Sequence, residues 1–311
     1  HISVAGSVAT GTHGSGDANG NLSTAVAALE MVTADGDLVA LDRRGDHLYG
    51  AVVGLGALGV VTTVTLDILP SFDIRQYVYE DLPFEVLGEH FNDVFSSAYS
   101  VSLFTAWSGP VIDQVWIKRR DDATWPTEET WFTARAADGP RHPVRGIDPA
   151  PCTEQLGVPG PWYARLPHFR PEFTPSSGVE LQTEYLVPRR HAVEALRAVD
   201  AVRDRIAPVL QISEIRTMAA DELWMSPAYG QETVGIHFTW VKDMAAVLPV
   251  LGVVEEQLAP YDARPHWGKI FTTAPEVLRS RYPRLRDFHE LMRHYDPAGK
   301  FTNDFVARNL L

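Results

Sequence analysis

A single cysteine, Cys152, occurs in 311 residues. No intrachain disulfide and no cysteine metal cluster can form, which suits a reducing, cytoplasmic setting. Cys152 itself reads as a small buried hydrophobe. Positive charge is also scarce. The 27 Lys and Arg face 40 Asp and Glu, a net charge of −13. Nucleic-acid binding needs clustered cations against phosphate, so that class of partner is not expected. There is no apolar run of about 18 residues and no charged-then-apolar leader, so neither a membrane span nor a signal peptide is expected. No GxxxxGK[ST] occurs and no GxGxxG follows a clear strand, so neither common phosphate signature is present. A serine-hydrolase GxSxG elbow is missing as well.

What remains is ordinary globular material, 45% hydrophobic and 22% charged, enough for two domains. The opening stretch HISVAGSVATGTHGSG combines four glycines (Gly6, Gly11, Gly14, Gly16) with Ser3, Ser7, Thr10, Thr12 and Ser15. Such a loop leaves backbone N–H groups open to an anionic ligand. On composition alone it is equally a flexible Gly/Ser loop. Val26–Val32 and Leu38–Leu41 read as strands joined at Asp35-Gly36. A short helix over Asp46–Val52 leads through GLGALG into a β-branched strand, Val60–Leu69. Beyond Pro70, strands are expected at Val101–Trp107 and Ile112–Lys118, and a long loop over 121–151. An aromatic- and proline-rich covering loop starts at Cys152. Helices are expected over His191–Ile206, Met244–Leu258 and Ala274–Met292, the last interrupted at Pro283. No strict βαβ rhythm occurs, so the fold class is α+β.

Three strands in the second half carry polar pairs. Alternation in QISEIRTM puts Ile212, Glu214, Arg216 and Met218 on one face. In TVGIHFTWV it leaves His237 and Thr239 opposite an apolar face of Val234, Ile236, Phe238 and Trp240. HWGKIFT, His266–Thr272, is expected as a short strand sharing Trp267, Lys269 and Phe271 on one face. Taken singly, Glu214/Arg216 is as well explained by a surface ion pair, His237 by a satisfied histidine, and Lys269 by snorkelling. If the three strands share a sheet, their polar groups converge on a patch suited to a polyhydroxylated ligand. One histidine and one carboxylate do not suit a metal, and none is expected.

These residues, with LGALGVVT, VSLFTAW, CTEQLGVPGPW, EFTPSSG, SPAYG, RPHWGK and DPAGKFTN, carry a whole-chain resemblance to bacterial alditol (xylitol) oxidases of the vanillyl-alcohol oxidase superfamily. The resemblance implies FAD as cofactor and a polyol and O2 as partners. It also implies oxidation of a terminal CH–OH to the aldose with release of H2O2. The implied architecture is the C-terminal part of a two-subdomain FAD-binding domain (1–70), a substrate or cap domain with an antiparallel sheet flanked by helices (71–290), and a return to the FAD-binding domain (291–311). Ser3, Gly6, Thr10, Gly11, His13, Gly14, Ser15, Gly59, Val60 and Val61 are the implied cofactor contacts. Glu214, Arg216, His237, Thr239 and Lys269 are the implied substrate contacts.

His237 is the leading base for the hydroxyl proton and Glu214 its competitor, while Arg216 keeps Glu214 ionised. Lys269 would sit near the flavin, where its charge favours the reduced cofactor. Family members carry, ahead of the matched region, a histidine covalently bonded to flavin and a substrate-contacting serine. Neither is in this sequence, and His13 lies downstream of the linking position. The chain therefore reads as a fragment, inactive alone, whose opening loop is poorly ordered or repacked without the preceding segment. Two alternatives are an aldonolactone oxidase or dehydrogenase on the same scaffold and a non-catalytic polyol-binding remnant.

Overall fold

The computed structural model describes residues 2–123, 130–173 and 179–311. His1, residues 124–129 of the expected long loop, and residues 174–178 of the EFTPSSG motif lie outside the described residues. The opening stretch is partly helical, which corrects its reading as a loop. Val4–Ala9 forms α1, capped by Ser3, whose side chain accepts the Gly6 N–H at 3.0 Å. Alanine and serine cost a helix little, so a cap suffices until Gly11, at φ +66°, ends the turn. The glycine-loop reading holds only from Thr10 to Gly16.

Strands β1 (Val26–Val32), β2 (Leu38–Asp42) and β3 (Val60–Leu66) form an antiparallel sheet in the order β2-β1-β3. The expected β1–β2 hairpin turns at Gly36, whose φ of +90° suits a residue without Cβ. Helix α2 (His47–Ala51) fills the connection to β3.

The later strands form a ten-stranded sheet. Its strands are β4 (Asp73–Pro83), β5 (Ser100–Thr105), β6 (Val111–Arg120), β7 (Thr130–Trp131), β8 (Ala134–Ala136), β9 (Gly160–Pro161), β10 (Glu180–Pro188), β11 (Leu210–Met218), β12 (Thr233–Val241) and β13 (Arg264–Pro265). The order is β13-β10-β12-β11-β5-β6-β4-β8-β7, with β9 on β4. The β7–β8 pair corrects the expectation of structureless chain over 121–151: Tyr79 and Glu80 of β4 offer an edge to which it adds.

One face of this sheet is covered by α3 (Phe84–Ser96), α4 (Ala192–Asp200), α5 (Arg203–Ile206) and α6 (Met244–Leu258). Phe91, Phe95, Leu196, Val199 and Leu251 pack there against Leu103, Ile117, Ile215, Ile236, Phe238 and Trp240. The helix expected over His191–Ile206 is two helices, broken at Ala201–Val202, so that Ile206 turns into the same core. A second core joins the small sheet to the end of the chain. Val8, Leu29, Met31 and Leu48 pack with Trp224, Trp267 and Phe288, and with helices α7 (Pro275–Ser280), α8 (Leu285–Tyr295) and α9 (Asp304–Asn309). The polar face of the large sheet looks away from its helices, toward α1.

Trp240 anchors the core under that polar face. It is fully buried, stacks on Phe238 at 5.0 Å and donates from Nε1 to Thr183 Oγ1 at 3.0 Å. Trp240→Ala is expected to cost about 3–5 kcal/mol of unfolding free energy, read as a lowered urea midpoint at unchanged slope.

Candidate active site

Antiparallel pairing aligns the polar side chains in rows across the sheet. His237 on β12 stands opposite Glu184 on β10 and Glu214 on β11, and Thr239 opposite Gln182 and Ile212. Even-spaced positions share a face, so Arg216 joins Glu214, and Gly235 joins His237. The three strands expected to carry polar pairs resolve differently. Two of them, β11 and β12, are neighbours in one sheet. The third is not a strand beyond Pro265, which corrects the expectation for His266–Thr272. His266 Nδ1 accepts the Gly268 N–H at 3.0 Å and closes a turn. That turn separates the side chains expected to share a face. Trp267 enters the second core, donating to the Met225 carbonyl at 2.6 Å. Lys269 enters the polar patch, held by Ile270 N–H bonding to the Gln182 carbonyl at 3.0 Å.

The patch is centred on a residue not singled out from sequence. Glu184, with 1% of its side chain exposed, accepts from Arg216 Nη2 at 2.6 Å and lies 3.4 Å from Lys269 Nζ. His13 Nε2 is 3.3 Å away and His237 Nδ1 3.7 Å. Gly235 leaves the room: a Cβ there would sit 3.1 Å from Glu184 Oε1 and 3.4 Å from the His13 ring. The signal in the sequence was the polar row Glu180, Gln182 and Glu184 on one face of the strand. Arg216 thus bonds tightly to Glu184, while its expected partner Glu214 is 3.6 Å away. Glu214 instead receives His168 Nε2 at 2.9 Å, from the covering loop.

The premise against a metal also changes. His13, Glu184 and His266 place donor atoms within 4.8 Å of one another. Both Glu184 oxygens, however, already face cations, Arg216 and Lys269, which oppose a further positive ion.

Burial and charge act against each other here. Burial would raise the Glu184 carboxyl, but Arg216, with His13 and Lys269, holds it well below the usual range. Glu214 is likewise lowered against its burial, chiefly by Arg216 and His168. Burial, with Lys269 beside it, pushes His237 down to about 4, and burial takes His266 to about 3. Burial also lowers Lys269. Two carboxylates therefore face one guanidinium and one ammonium, a balanced set around a neutral His237. His237 Nδ1 lies 2.9 Å from Lys269 Nζ, and its Nε2 3.1 Å from Thr239 Oγ1.

Two openings meet at this patch. A cavity of about 200 Å³ is lined by Glu214, Arg216, His237, Thr239 and Lys269 with Phe104, His142 and His168. A cleft of about 470 Å³ runs between it and α1, lined by Ser3, Gly6, Thr10 and His13 on one side and by Glu184, His266 and Gly268 on the other. Gln182, Arg216 and Lys269 border both.

The other residues expected to bind cofactor lie apart from this cleft. Gly59 and Val61 line a separate apolar cleft of about 200 Å³ on the far side of α1, and Val60 is exposed nearby. Gly11 packs toward Pro227, and Ser15 bonds to Ser100 at 2.5 Å. At Gly14 an added Cβ would meet nothing within 4 Å. The larger cleft, with small residues on one wall and cations on the other, fits part of a flavin and its substituents.

The fold is shared with solved cholesterol oxidases. A cholesterol oxidase from Brevibacterium sterolicum superposes with a TM-score of 0.73 at 14% identity, covering 98% of this chain and 74% of that one. A solvent-stable cholesterol oxidase gives 0.74 at 13% identity, covering 99% and 75%. The D-arabinono-1,4-lactone oxidase family matches residues 179–309. L-gulono-1,4-lactone dehydrogenase from Mycobacterium tuberculosis is 30% identical over 99% of this chain and 74% of its own. Alditol oxidase from a Streptomyces species is 57% identical over the whole chain and 74% of its own length. The chain belongs to the alditol oxidase family of FAD-dependent oxidoreductases.

Two expectations follow from the buried charges. Glu184→Gln leaves Arg216 and Lys269 without their carboxylate and should cost about 3–5 kcal/mol in urea unfolding. Stability should also fall between pH ~6.5 and ~4. In that window His237 and His266 bind protons in the unfolded chain but not in the folded one, so stability rises with pH. Melting temperatures measured across this range check the slope; a flat profile contradicts the burial of both imidazoles.

Proposed function

We propose that the chain binds a xylitol- or sorbitol-like alditol and oxidises its terminal CH–OH to the aldose, with O2 as acceptor and hydrogen peroxide as product. The observation that carries this reading is the wall of Gln182, Arg216 and Lys269 shared by the small cavity and the cleft beside α1. The cavity is smaller than a drug-sized ligand needs, and both cations on its wall already face Glu184, which favours a small polyhydroxylated molecule over an anion.

When bound, FAD supplies the acceptor for the hydride that leaves C1. The cleft residues Ser3, Gly6, Thr10, His13 and Lys269 would hold it. The chain's own groups handle the hydroxyls and the proton. Glu214, ionised, accepts from a substrate hydroxyl, and Arg216 donates to one. Thr239 Oγ1 does either. His237, neutral at pH 7 while Glu214 is too weak a base to compete, would take the hydroxyl proton at Nδ1 where a substrate hydroxyl replaces Lys269, since its Nε2 carries the proton donated to Thr239. Lys269, 2.9 Å from His237, holds a positive charge where electron density builds up. A second reading, an aldonolactone oxidase or dehydrogenase, is favoured by the lactone-oxidase family match over residues 179–309.

The flavin-loaded protein is expected to release one peroxide per xylitol oxidised in air and to leave 1,4-lactones unreacted, with O2 or a dye as acceptor. Lactone turnover without xylitol turnover would reverse the choice. Lys269→Met should slow flavin reduction about 100-fold or more in stopped flow, while changing xylitol KM little. An unchanged rate removes this role from Lys269.

A further inference from the structure

The alditol reading assigns nothing to the buried polar groups behind Glu214. Lys118, on β6, is fully buried, and burial lowers its ammonium to about 7. Among the described residues it has no carboxylate at ion-pair distance. It donates instead to three consecutive carbonyls, of Arg165 at 3.0 Å, of Leu166, and of Pro167 at 3.3 Å. The next residue is His168. Its far side is pinned as well: Thr153 N–H donates to the His168 carbonyl at 3.0 Å, and Thr153 Oγ1 to that of Pro167 at 2.6 Å. The His168 ring stands edge-on between Phe104 and Trp116, each centroid 5.3 Å away. Chain and ring are therefore both fixed, and what they deliver is Nε2 at 2.9 Å from Glu214 Oε1.

We propose that His168 is a positioning residue for substrate binding: its Nε2–H fixes one oxygen of Glu214, leaving the other for Arg216 and a polyol hydroxyl. The tautomer follows from the surroundings. An ionised carboxylate only accepts, so Nε2 carries the proton, and Nδ1, which has no partner among the described residues, is the bare lone pair. Burial, with Lys118 nearby, keeps the ring neutral. Lys118 acts one step further back, holding the three carbonyls that lead into His168. A buried ammonium is costly, and three carbonyl dipoles converging on it offset that cost only if the segment stays in place.

This inference rests on the alditol reading, and two variants separate the failure of one from that of the other. His168→Phe keeps a ring between Phe104 and Trp116 but removes the donor, whereas His168→Gln keeps an N–H donor. In the flavin-loaded enzyme, xylitol Kd is measured by calorimetry alongside KM, kcat and the urea midpoint. His168→Phe should weaken xylitol binding about 10- to 100-fold, as expected for a lost hydrogen bond to a charged group. His168→Gln should restore it to within about threefold. A cycle of His168→Phe with Glu214→Gln should be non-additive, because the first acts through the second. Equal losses in both His168 variants, wild-type Kd in His168→Phe, or an additive cycle overturns the proposal. Failure of the wild-type enzyme to bind xylitol overturns the alditol reading instead.

Discussion

The polar face of the large sheet depends on one buried carboxylate. Glu184 is nearly inaccessible, and it survives ionised only because Arg216 and Lys269 reach it from β11 and from the turn after β13. The dependence is mutual. Arg216 and Lys269 are themselves half-buried cations, and without Glu184 neither has a close carboxylate of equal quality. The alignment of β10, β12 and β11 sets where these charges meet, and register is enforced by the opposite face, where Ile215, Ile236, Phe238 and Trp240 must enter the core. A one-residue slip would place Trp240 in the polar row. Hydrophobic packing on one side thus specifies the electrostatics on the other.

Much of this was legible from alternation. The strands around Glu214 and His237 were evident because period-two patterning separates apolar from polar residues, and helix Met244–Leu258 matches its expected bounds. Glu184 escaped notice because ELQTEYLVP lacks a second charge beside it; its importance arises across strands rather than along one. Lys269 was recognised as a polar contributor, yet the strand invoked to place it does not exist. A histidine accepting its own chain's N–H two residues on makes a turn that propensity alone does not reveal. His168 was hidden more thoroughly, for nothing in LPHF marks it as a neighbour of Glu214, 46 positions away.

The opening stretch illustrates the limit of composition. Glycine and serine suggested a loop, whereas a serine cap and small side chains make α1. The stretch nevertheless still lines a cleft. Gly6 and Ser3 still leave one side of the cleft without bulk, and the opposite side carries Lys269 and Arg216. The residues sort into two clefts because α1 stands between them, its Val8 and Ala9 facing the apolar one and its Ser3, Gly6 and Thr10 the polar one. A loop would not have divided them.

The same reasoning explains why two cationic groups can serve one small site without dominating it. Lys269 and Arg216 stand on the boundary between cleft and cavity, so each faces both while Glu184 neutralises them from beneath. In the proposed reading a neutral polyol would meet oriented donors and acceptors rather than two unpaired cations. Selectivity comes from geometry: Glu214 is held by His168, Thr239 by His237, and both by a sheet whose strands cannot shift without exposing their core. In the proposed reading, substrate hydroxyls would bind to groups whose positions the fold has already fixed.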